Sequence, residues 1–134
     1  MRMFLLLIAL LIGPAAAVGA AEDIAAGQSV IRSQEEAFGR DDAAAAYAHA
    51  SPAIKNMYRD PDAFMYMVRN GYAPVYRHRS FEFGAAIVKE GKIVQEVQIV
   101  DADGVAWEAL YTLEPQPDGS LKISSCVLVK ITTS

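Results

Sequence analysis

The sequence predicts an α+β domain in which N-terminal helices pack on one face of a curved four-stranded antiparallel sheet. Apolar residues recur with helical spacing up to about residue 72 and with alternate spacing beyond Ser80. Three dipeptides typical of β-turns divide the second part: Glu90-Gly91, Asp103-Gly104 and Asp118-Gly119. Helices followed by a meander of strands favour an α+β fold with the helices on one side of the sheet.

Length and composition limit the classes of protein to which the chain can belong. Its 134 residues are enough for one domain, and the 53% hydrophobic content excludes a disordered or collagen-like chain. The formal net charge of −4 disfavours a generic nucleic-acid binder, because such proteins need a basic surface to neutralise phosphates. We therefore expect a globular domain without a nucleic-acid partner.

The segment 1–21 has the pattern of an export signal, and residues 22–134 form the predicted domain. A short basic start precedes the apolar run 3–12, and small residues follow it. Cleavage after Ala20 or Ala21 suits this pattern. An uncleaved anchor is the alternative, because the whole apolar stretch is nearly long enough to span a bilayer. We expect a periplasmic or secreted protein that is not inserted in a membrane after cleavage.

Capping residues and prolines divide the N-terminal half into four predicted helices. The predicted boundaries are Gly39 as the end of the first helix, Asp41 or Asp42 as the cap of a second over 43–50, Ser51-Pro52 as the start of a third and Asp60-Pro61 as the start of a fourth. The run 72–79 contains Pro74 and predicts an extended crossover to the sheet.

The turn dipeptides separate four predicted strands, near 79–89, 92–101, 105–114 and 120–131. In each strand the odd-numbered positions are the more apolar, which predicts that they face the helices while the even-numbered positions face water. Leu110, Cys126 and Leu128 interrupt the polar face and indicate partial cover or a dimer contact. A β-bulge would exchange the two faces beyond it, because one extra residue shifts the alternation.

The titratable residues do not form a recognisable metal site. His49 and His78 are far apart in sequence and lack ligand spacing. The turn at Asp101 begins like a calcium-binding loop but has Thr112 where such a loop needs a glutamate, so a hairpin turn is predicted. Cys126 is the single cysteine, which excludes an intramolecular disulfide and favours a buried thiol over one that pairs between chains. We expect no metal ion and no cofactor.

Several segments together resemble a known family. They are 50–54, 67–77, Phe83-Gly84, 101–104, Trp107, 109–113, 117–119 and Cys126. The chain resembles a family of small exported bacterial proteins, common among alphaproteobacteria, that is known only as a domain of unknown function. The segment 71–77 is the most specific part, whereas His78 and Leu121 stand where the family often has proline and tryptophan. The resemblance implies an NTF2-like or cystatin-like cone, which hosts both ligand binders and enzymes, and it carries over no catalytic residue.

The segment 71–79 carries the richest set of candidate binding side chains, because it combines aromatic rings with cations in a form that suits an anion or a peptide. The predicted ligand-binding residues are Tyr72, Tyr76, Arg77, His78 and Arg79 at the rim of the cone, with Trp107 and Tyr111 on the inner face of the sheet. The alternative is structural: the two tyrosines of the segment pack under the sheet, and its arginines pair with Glu82 or Glu108 at the surface.

These observations predict a non-enzymatic exported module that binds a small hydrophobic or anionic ligand or a partner protein. The inner face is apolar and aromatic with few polar groups, as binding pockets usually are. The alternative is a pocket enzyme of the isomerase or hydrolase type, in which His78 acts beside Tyr72, Tyr76 or a glutamate that a bulge turns inward. A homodimer built on the apolar stripe of the polar face is a third hypothesis.

Overall fold

The structure, a computed structural model, describes residues 15–132. The helices and strands of this part are α1 (Ala15–Gly39), α2 (Ala43–Ala48), α3 (Pro52–Met57), α4 (Pro61–Gly71), α5 (Ala73–Tyr76), β1 (His78–Lys89), β2 (Lys92–Asp101), β3 (Ala106–Pro115) and β4 (Leu121–Lys130). The strands form one open, curved antiparallel sheet in the order β1-β2-β3-β4, which confirms the predicted α+β fold. The basic start and the apolar run of the predicted export signal lie outside the described residues. Within residues 15–132, no helix is long and apolar enough to cross a membrane.

Local side-chain chemistry sets the starts of three helices as predicted. The side chains of Asp42, Ser51 and Asp60 accept hydrogen bonds from the backbone N–H three residues later, at 3.1, 3.4 and 2.8 Å. Such bonds satisfy donors that have no partner in the first turn of a helix. Pro52 and Pro61 follow two of these caps, where the missing N–H of proline costs nothing.

The second helix ends at Ala48, earlier than predicted, because the chain turns onto the edge of the sheet. Ala50 forms a parallel bridge with Ile123 of β4. The N–H of Ser51 donates to the carbonyl of Ile123 at 2.8 Å, and the N–H of Ile123 donates to the carbonyl of His49 at 2.8 Å. These two backbone hydrogen bonds hold the connection between α2 and α3 against the start of β4.

The extended crossover predicted over 72–79 is wrong in part, because a one-turn helix, α5, occupies its centre. The N–H of Tyr76 donates to the carbonyl of Tyr72 at 3.1 Å. Pro74 lies in the first turn, where its fixed φ suits a helix, and Pro74 and Val75 are both buried there. Burial of this apolar turn and the preference of proline for the first turn of a helix therefore favour α5 over an extended chain. The strand β1 begins directly afterwards, at His78.

The hydrophobic core lies between the helices and the inner face of the sheet. Its buried apolar residues come from α1, α2, α4 and α5, from all four strands and, for Ala50, from the connection after α2. They are Ile31, Ala37, Phe38, Ala46, Ala50, Phe64, Met65, Val68, Val75, Phe81, Ile93, Val97, Ile99, Ala109, Tyr111, Leu113 and Ile123. The helix α1 crosses the sheet at Gly27, where an added Cβ would lie 3.3 Å from Cδ1 of Ile93 and 3.6 Å from Cδ1 of Leu113. Glycine therefore suits this close approach, and an alanine would require the Ile93 side chain to shift by a few tenths of an ångström.

The predicted inward position of odd-numbered residues is confirmed in β2 and β3 but is wrong in the second half of β1. A bulge between Phe83 and Ala86 shifts the pairing with β2 by one residue. Beyond it, Ile87 points to the outer face and is 55% exposed. An extra residue exchanges the two faces of a strand because its side chains alternate with a period of two.

A second irregularity reverses the faces of β4. Thr112 of β3 pairs with Ser125 and Leu113 pairs with Ile123, so Ser124 is the extra residue. Cys126 and Leu128 therefore face the helices, whereas Val127, Val129 and Ile131 face outward with exposed fractions of 52%, 53% and 43%. The predicted apolar stripe on the outer face is thus wrong for Cys126 and Leu128; Leu110 is exposed there as predicted.

The buried amide of Gln95 explains the bulge in β1. Its Nε2 donates to the carbonyls of Gly84 and Glu96 at 3.1 and 2.7 Å, and its Oε1 accepts from Nε2 of Gln28 at 3.0 Å. A bulge leaves backbone groups without a partner in the ladder, and a buried carbonyl without a donor is costly. The side chain of Gln95, which is fully buried, supplies that donor.

Replacing Gln95 by leucine should lower the free energy of unfolding by about 2–3 kcal/mol, because leucine keeps the volume but leaves the carbonyls of the bulge without a donor. The matched control is Gln98→Leu in the same strand, whose side chain is exposed on the outer face. The control should change the stability by less than about 0.5 kcal/mol in urea denaturation. Equal losses in the two variants would show that the amide does not hold the bulge.

Candidate binding cavity

A cavity of about 370 Å³ lies between the helices and the C-terminal half of the sheet. Its walls are formed by Gln34, Phe38, Ala50, Ile54, Met57, Tyr58, Phe64, Met67, Val68, Tyr72, Val75, Tyr111, Ile123, Ser124, Ser125, Cys126 and Val127. Their apolar character and the size of the space are those of small-molecule sites. The inner face of the sheet is therefore not filled solidly by the helices.

Four helices, α1, α3, α4 and α5, and two strands, β3 and β4, supply the walls of the cavity. Phe64 and Val68 are buried and face inward from α4, and the ring of Phe64 stacks on that of Phe38 of α1 with centroids 6.2 Å apart. By contrast, α3 has no fully buried residue, and Met57 at its end is 68% exposed. The cavity is consequently closed firmly by α1 and α4 and loosely by α3.

The cavity carries no charged side chain. Among its lining residues, all of which lie in the described part of the chain, there is no Asp, Glu, Lys, Arg or His. Burial raises the pKa of the Cys126 thiol to about 12, and it also raises the pKa of Tyr72 and that of Tyr111. All three groups are therefore neutral near pH 7, which favours an uncharged or apolar occupant.

The hydroxyl of Tyr111 is the most deeply placed polar group of the cavity. The side chain is only 2% exposed, and burial raises its pKa well above the ordinary value, with the Cys126 thiol as its neighbour. A buried hydroxyl that faces a weak sulfur acceptor retains the capacity to donate a stronger hydrogen bond. Tyr111 thus offers a polar contact at the inner end of an apolar space.

The structure does not bring the predicted binding residues together at one site. Of these residues, only Tyr72 and Tyr111 line the cavity. The hydroxyl of Tyr76 donates to a carboxylate oxygen of Asp41, and Nη2 of Arg77 contacts the other oxygen at 2.9 Å. Nη1 of Arg77 also donates to the carbonyl of Phe38 at 2.8 Å. The hydrogen bond from Tyr76 and the charge of Arg77 lower the pKa of Asp41. Together with the bond to Phe38, these contacts join the end of α1 to α5, so they are structural contacts.

His78 lies beside α1 and not in the cavity. Its Nε2 is 2.6 Å from a carboxylate oxygen of Glu35, and its Nδ1 is 2.9 Å from the carbonyl of Pro74. The other carboxylate oxygen of Glu35 contacts Arg32, whose guanidinium lies 4.7 Å from the centroid of the Phe83 ring. Both nitrogens of the imidazole are therefore occupied by groups of the protein itself.

The side chains of Arg79 in β1 and Trp107 in β3 contact the turn between β2 and β3. Nε of Arg79 donates to the carbonyl of Ala102 at 3.2 Å, and Nε1 of Trp107 donates to Oδ2 of Asp101 at 2.9 Å. Trp107 also borders a second depression, of about 330 Å³, together with Glu82. The pairing of Arg77 and Arg79 with Glu82 or Glu108, the structural alternative drawn from the sequence, is not observed among the described residues, where Arg77 pairs with Asp41 instead.

The carboxylate of Asp101 stabilises a hairpin turn, as predicted. One of its oxygens accepts from the N–H groups of Asp103 and Val105, each at 2.9 Å. The hydrogen bond from Val105 is the main cause of its lowered pKa, followed by that from Trp107. Residues 15–132 contain no group of three or more His, Cys, Asp or Glu side chains placed to hold a metal ion.

The sequence did not single out the contribution of α3 and α4 to the site. The sequence predicts Ile54, Met57 and Met67 as core residues, because their helical spacing is the same as that of any buried helix face. The adjacent Ser124 and Ser125, unusual in the middle of an apolar strand, were the available signal, since they mark the bulge that turns Cys126 toward the cavity.

The raised pKa of Cys126 should make its thiol slow to react. A pKa of about 12 in place of 9.0 lowers the thiolate fraction at pH 8 about a thousandfold, and alkylation by iodoacetamide should slow accordingly. The matched control is Ser29→Cys on the exposed face of α1, whose added thiol should react first. Two fast-reacting thiols in this variant, counted by mass spectrometry, would contradict the burial of Cys126.

Comparison with known proteins identifies the family. A family model described as a domain of unknown function (DUF4864) matches residues 20–134. No curated protein and no solved structure matches the chain. Because the family match spans the whole of the predicted domain, the chain belongs to this family of domains of unknown function, DUF4864.

Proposed function

We propose that the protein is a non-enzymatic binding module, exported from the cell, whose cavity holds a small apolar ligand or the apolar part of a larger one. The observation that carries this proposal is the uncharged cavity of about 370 Å³ between the helices and the sheet. Apolar side chains normally pack against one another, so an apolar space that stays partly open between two layers can gain dispersion contacts from an occupant. A space of this size beside a deeply placed tyrosine hydroxyl is what a ligand site requires.

The charges near the cavity favour an apolar ligand over an anionic one. The predicted anion-binding side chains are already engaged, since Arg77 pairs with Asp41 and the imidazole of His78 contacts Glu35. Paired charges offer little attraction to a further anion. The ligand proposed here therefore makes apolar contacts along the walls and one hydrogen bond with Tyr111 or Tyr72.

Binding is favoured over the enzymatic alternative by the state of the groups that catalysis would need. An acid–base mechanism needs a side chain that titrates near neutral pH within reach of the substrate. His78 has both nitrogens occupied, and the Cys126 thiol stays protonated because burial raises its pKa to about 12. The glutamate that a bulge was expected to turn inward is not among the lining residues of the described cavity.

An NTF2-like architecture is part of the same proposal. It is supported by the order of the elements, with helices first and a curved antiparallel sheet after them, and by a cavity between the two layers. Proteins of that architecture use the space between helices and sheet for many different ligands, so the comparison concerns the position of the site and not its chemistry.

Export is supported by the sequence and by the position of the first core contacts. The family match begins at residue 20, next to the proposed cleavage points at Ala20 and Ala21. Among residues 19–39 of α1, whose burial the structure describes, the first buried residue is Gly27, which lies after both proposed cleavage points. A domain that begins after the signal can therefore keep its whole core.

The cavity proposal predicts that the protein binds a neutral apolar fluorophore, N-phenyl-1-naphthylamine, with enhanced emission. Met67→Trp, which fills part of the cavity, should weaken this binding about tenfold, since it removes apolar contact worth about 1.4 kcal/mol. The matched control is Tyr66→Trp, the neighbouring residue of α4, which is 65% exposed and lies outside the cavity. Equal affinity of the two variants would place the fluorophore elsewhere.

The export proposal predicts that the full-length chain, expressed in a Gram-negative host, is recovered from the periplasm or the medium. Its intact mass should be that of a chain beginning at Ala21 or Glu22. The control is Leu6→Arg, which places a charge in the apolar run and should leave the chain uncleaved inside the cell. Recovery of uncleaved protein in the membrane fraction would indicate an anchor instead of a cleaved signal.

A further inference from the structure

The strand β4 lies at the edge of the sheet, and half of its backbone groups point away from β3. The N–H of Ile131 donates to the carbonyl of Ala106 in β3 at 2.9 Å. In an antiparallel ladder, every second residue directs both its N–H and its carbonyl to the same neighbour. Val129 and Val127 therefore also face β3, and the N–H and carbonyl groups of the residues between them face the open edge.

Only the first part of this edge is covered within the described residues. The connection between α2 and α3 pairs with Ile123 through Ser51 and His49, and the chain then turns away into α3. Beyond the bulge at Ser124, the edge-facing residues are Cys126, Leu128 and Lys130. No hydrogen bond from another element of residues 15–132 reaches their backbone N–H or carbonyl groups.

The five residues 125–129, which lie between the bulge at Ser124 and the charged Lys130, carry none of the devices by which proteins usually protect a sheet edge. Such edges are commonly interrupted by proline, by a bulge or by an inward-pointing charge. Between Ser125 and Val129 there is no proline and no charged residue, and Val127 and Val129 are more than half exposed. The segment is therefore able to accept a further strand.

The cavity opens beside the same segment. Residues 124–127 line the cavity, and so do Ile54, Met57 and Met67 of α3 and α4. A strand added to β4 would lie about 4.8 Å from it, and its alternate side chains would point toward these helices. The apolar space is where those side chains would be buried.

We propose that the open edge of β4 binds an extended peptide segment, which adds a fifth strand to the sheet and places an apolar side chain in the cavity. The inference rests on the proposed function of the cavity and names the class of its ligand. A peptide backbone matches the alternating N–H and carbonyl groups of the edge, and this mode of recognition reads alternate side chains in adjacent pockets. Lys130 lies at the C-terminal end of the segment and suits an acidic residue at one end of the peptide, whereas Lys122 lies in the covered part of β4, where its Nζ donates to the carbonyl of Ala48 at 2.9 Å.

A peptide fits this edge better than a second copy of the same chain. If two β4 strands paired, the inward side chains of the second copy would be its own Cys126 and Leu128, which already pack in that copy's core. They would have no freedom to enter the cavity of the first copy. A flexible segment has both faces free, so it can pair with the edge and fill the cavity at once.

The probe is a capped peptide of seven residues: glutamate, threonine, leucine, threonine, leucine, threonine and glutamate. Two further versions of the peptide carry N-methyl groups. One has them on the backbone amides of the leucines, and the other has them on the backbone amides of the threonines. Only one set of amides can face β4, because donors alternate along an extended strand. One methylated peptide should therefore lose affinity at least about tenfold, while the other stays within about threefold of the parent peptide.

Amide hydrogen exchange of the purified protein provides the second readout. In the free protein the amides of Val127 and Val129 should exchange slowly, because they are bonded to β3, and those of Cys126, Leu128 and Lys130 should exchange fast. The peptide should slow exchange at the second group at least about tenfold. Met67→Trp should weaken peptide binding and Tyr66→Trp should not.

The outcomes separate this inference from the cavity proposal. If the fluorophore binds but the peptide does not, or if both methylated peptides bind alike, the cavity function stands and the added strand is excluded. If neither probe binds, both proposals fail. If the amides of Cys126, Leu128 and Lys130 are already slow and become fast on dilution, a second copy occupies the edge and the peptide proposal is overturned.

Discussion

The register change at Ser124 determines how the C-terminal half of the molecule is arranged. One extra residue opposite Thr112 turns Cys126 and Leu128 toward the helices and exposes Val127 and Val129. Without it, valines would face the helices where a thiol and a leucine now lie, and the cavity would have a different wall. The bulge also follows the point at which the connection between α2 and α3 leaves the sheet, so the covered and the uncovered edge meet there.

The segment 71–79, which carries the richest set of candidate binding side chains in the sequence, connects secondary-structure elements in the structure. Arg77 and Tyr76 bind Asp41, and His78 contacts Glu35, so α5 and the start of β1 are joined to α1 through charged and hydrogen-bonded groups. These contacts fix the side of the molecule opposite the open edge of β4. The charged side chains of this segment thus hold secondary-structure elements together, whereas the candidate site is lined by apolar and uncharged polar side chains.

Local interactions explain what the sequence could predict. The caps at Asp42, Ser51 and Asp60 act within one helical turn, so the helix starts were readable, and the glycine turns gave the four strands. The position of the bulge in β1 could not be predicted, because the Gln95 side chain acts on a carbonyl of another strand. Likewise, the partner of Arg77 lies in another part of the chain, at Asp41. Of the predicted site residues, Tyr72 and Tyr111 line the cavity. The face to which a residue points along a strand or a helix follows from local spacing, whereas the other lining residues are brought together by tertiary packing.

The weak anchoring of α3 gives the cavity a compliant wall. The helix buries no side chain fully and is held at its start by the hydrogen bonds around Ser51. Moving its far end outward would expose little apolar area, so the free-energy cost is small compared with a shift of α4, which buries three residues. The site can therefore accommodate occupants of different bulk by adjusting one short helix, while the strand register and the core under α1 stay unchanged.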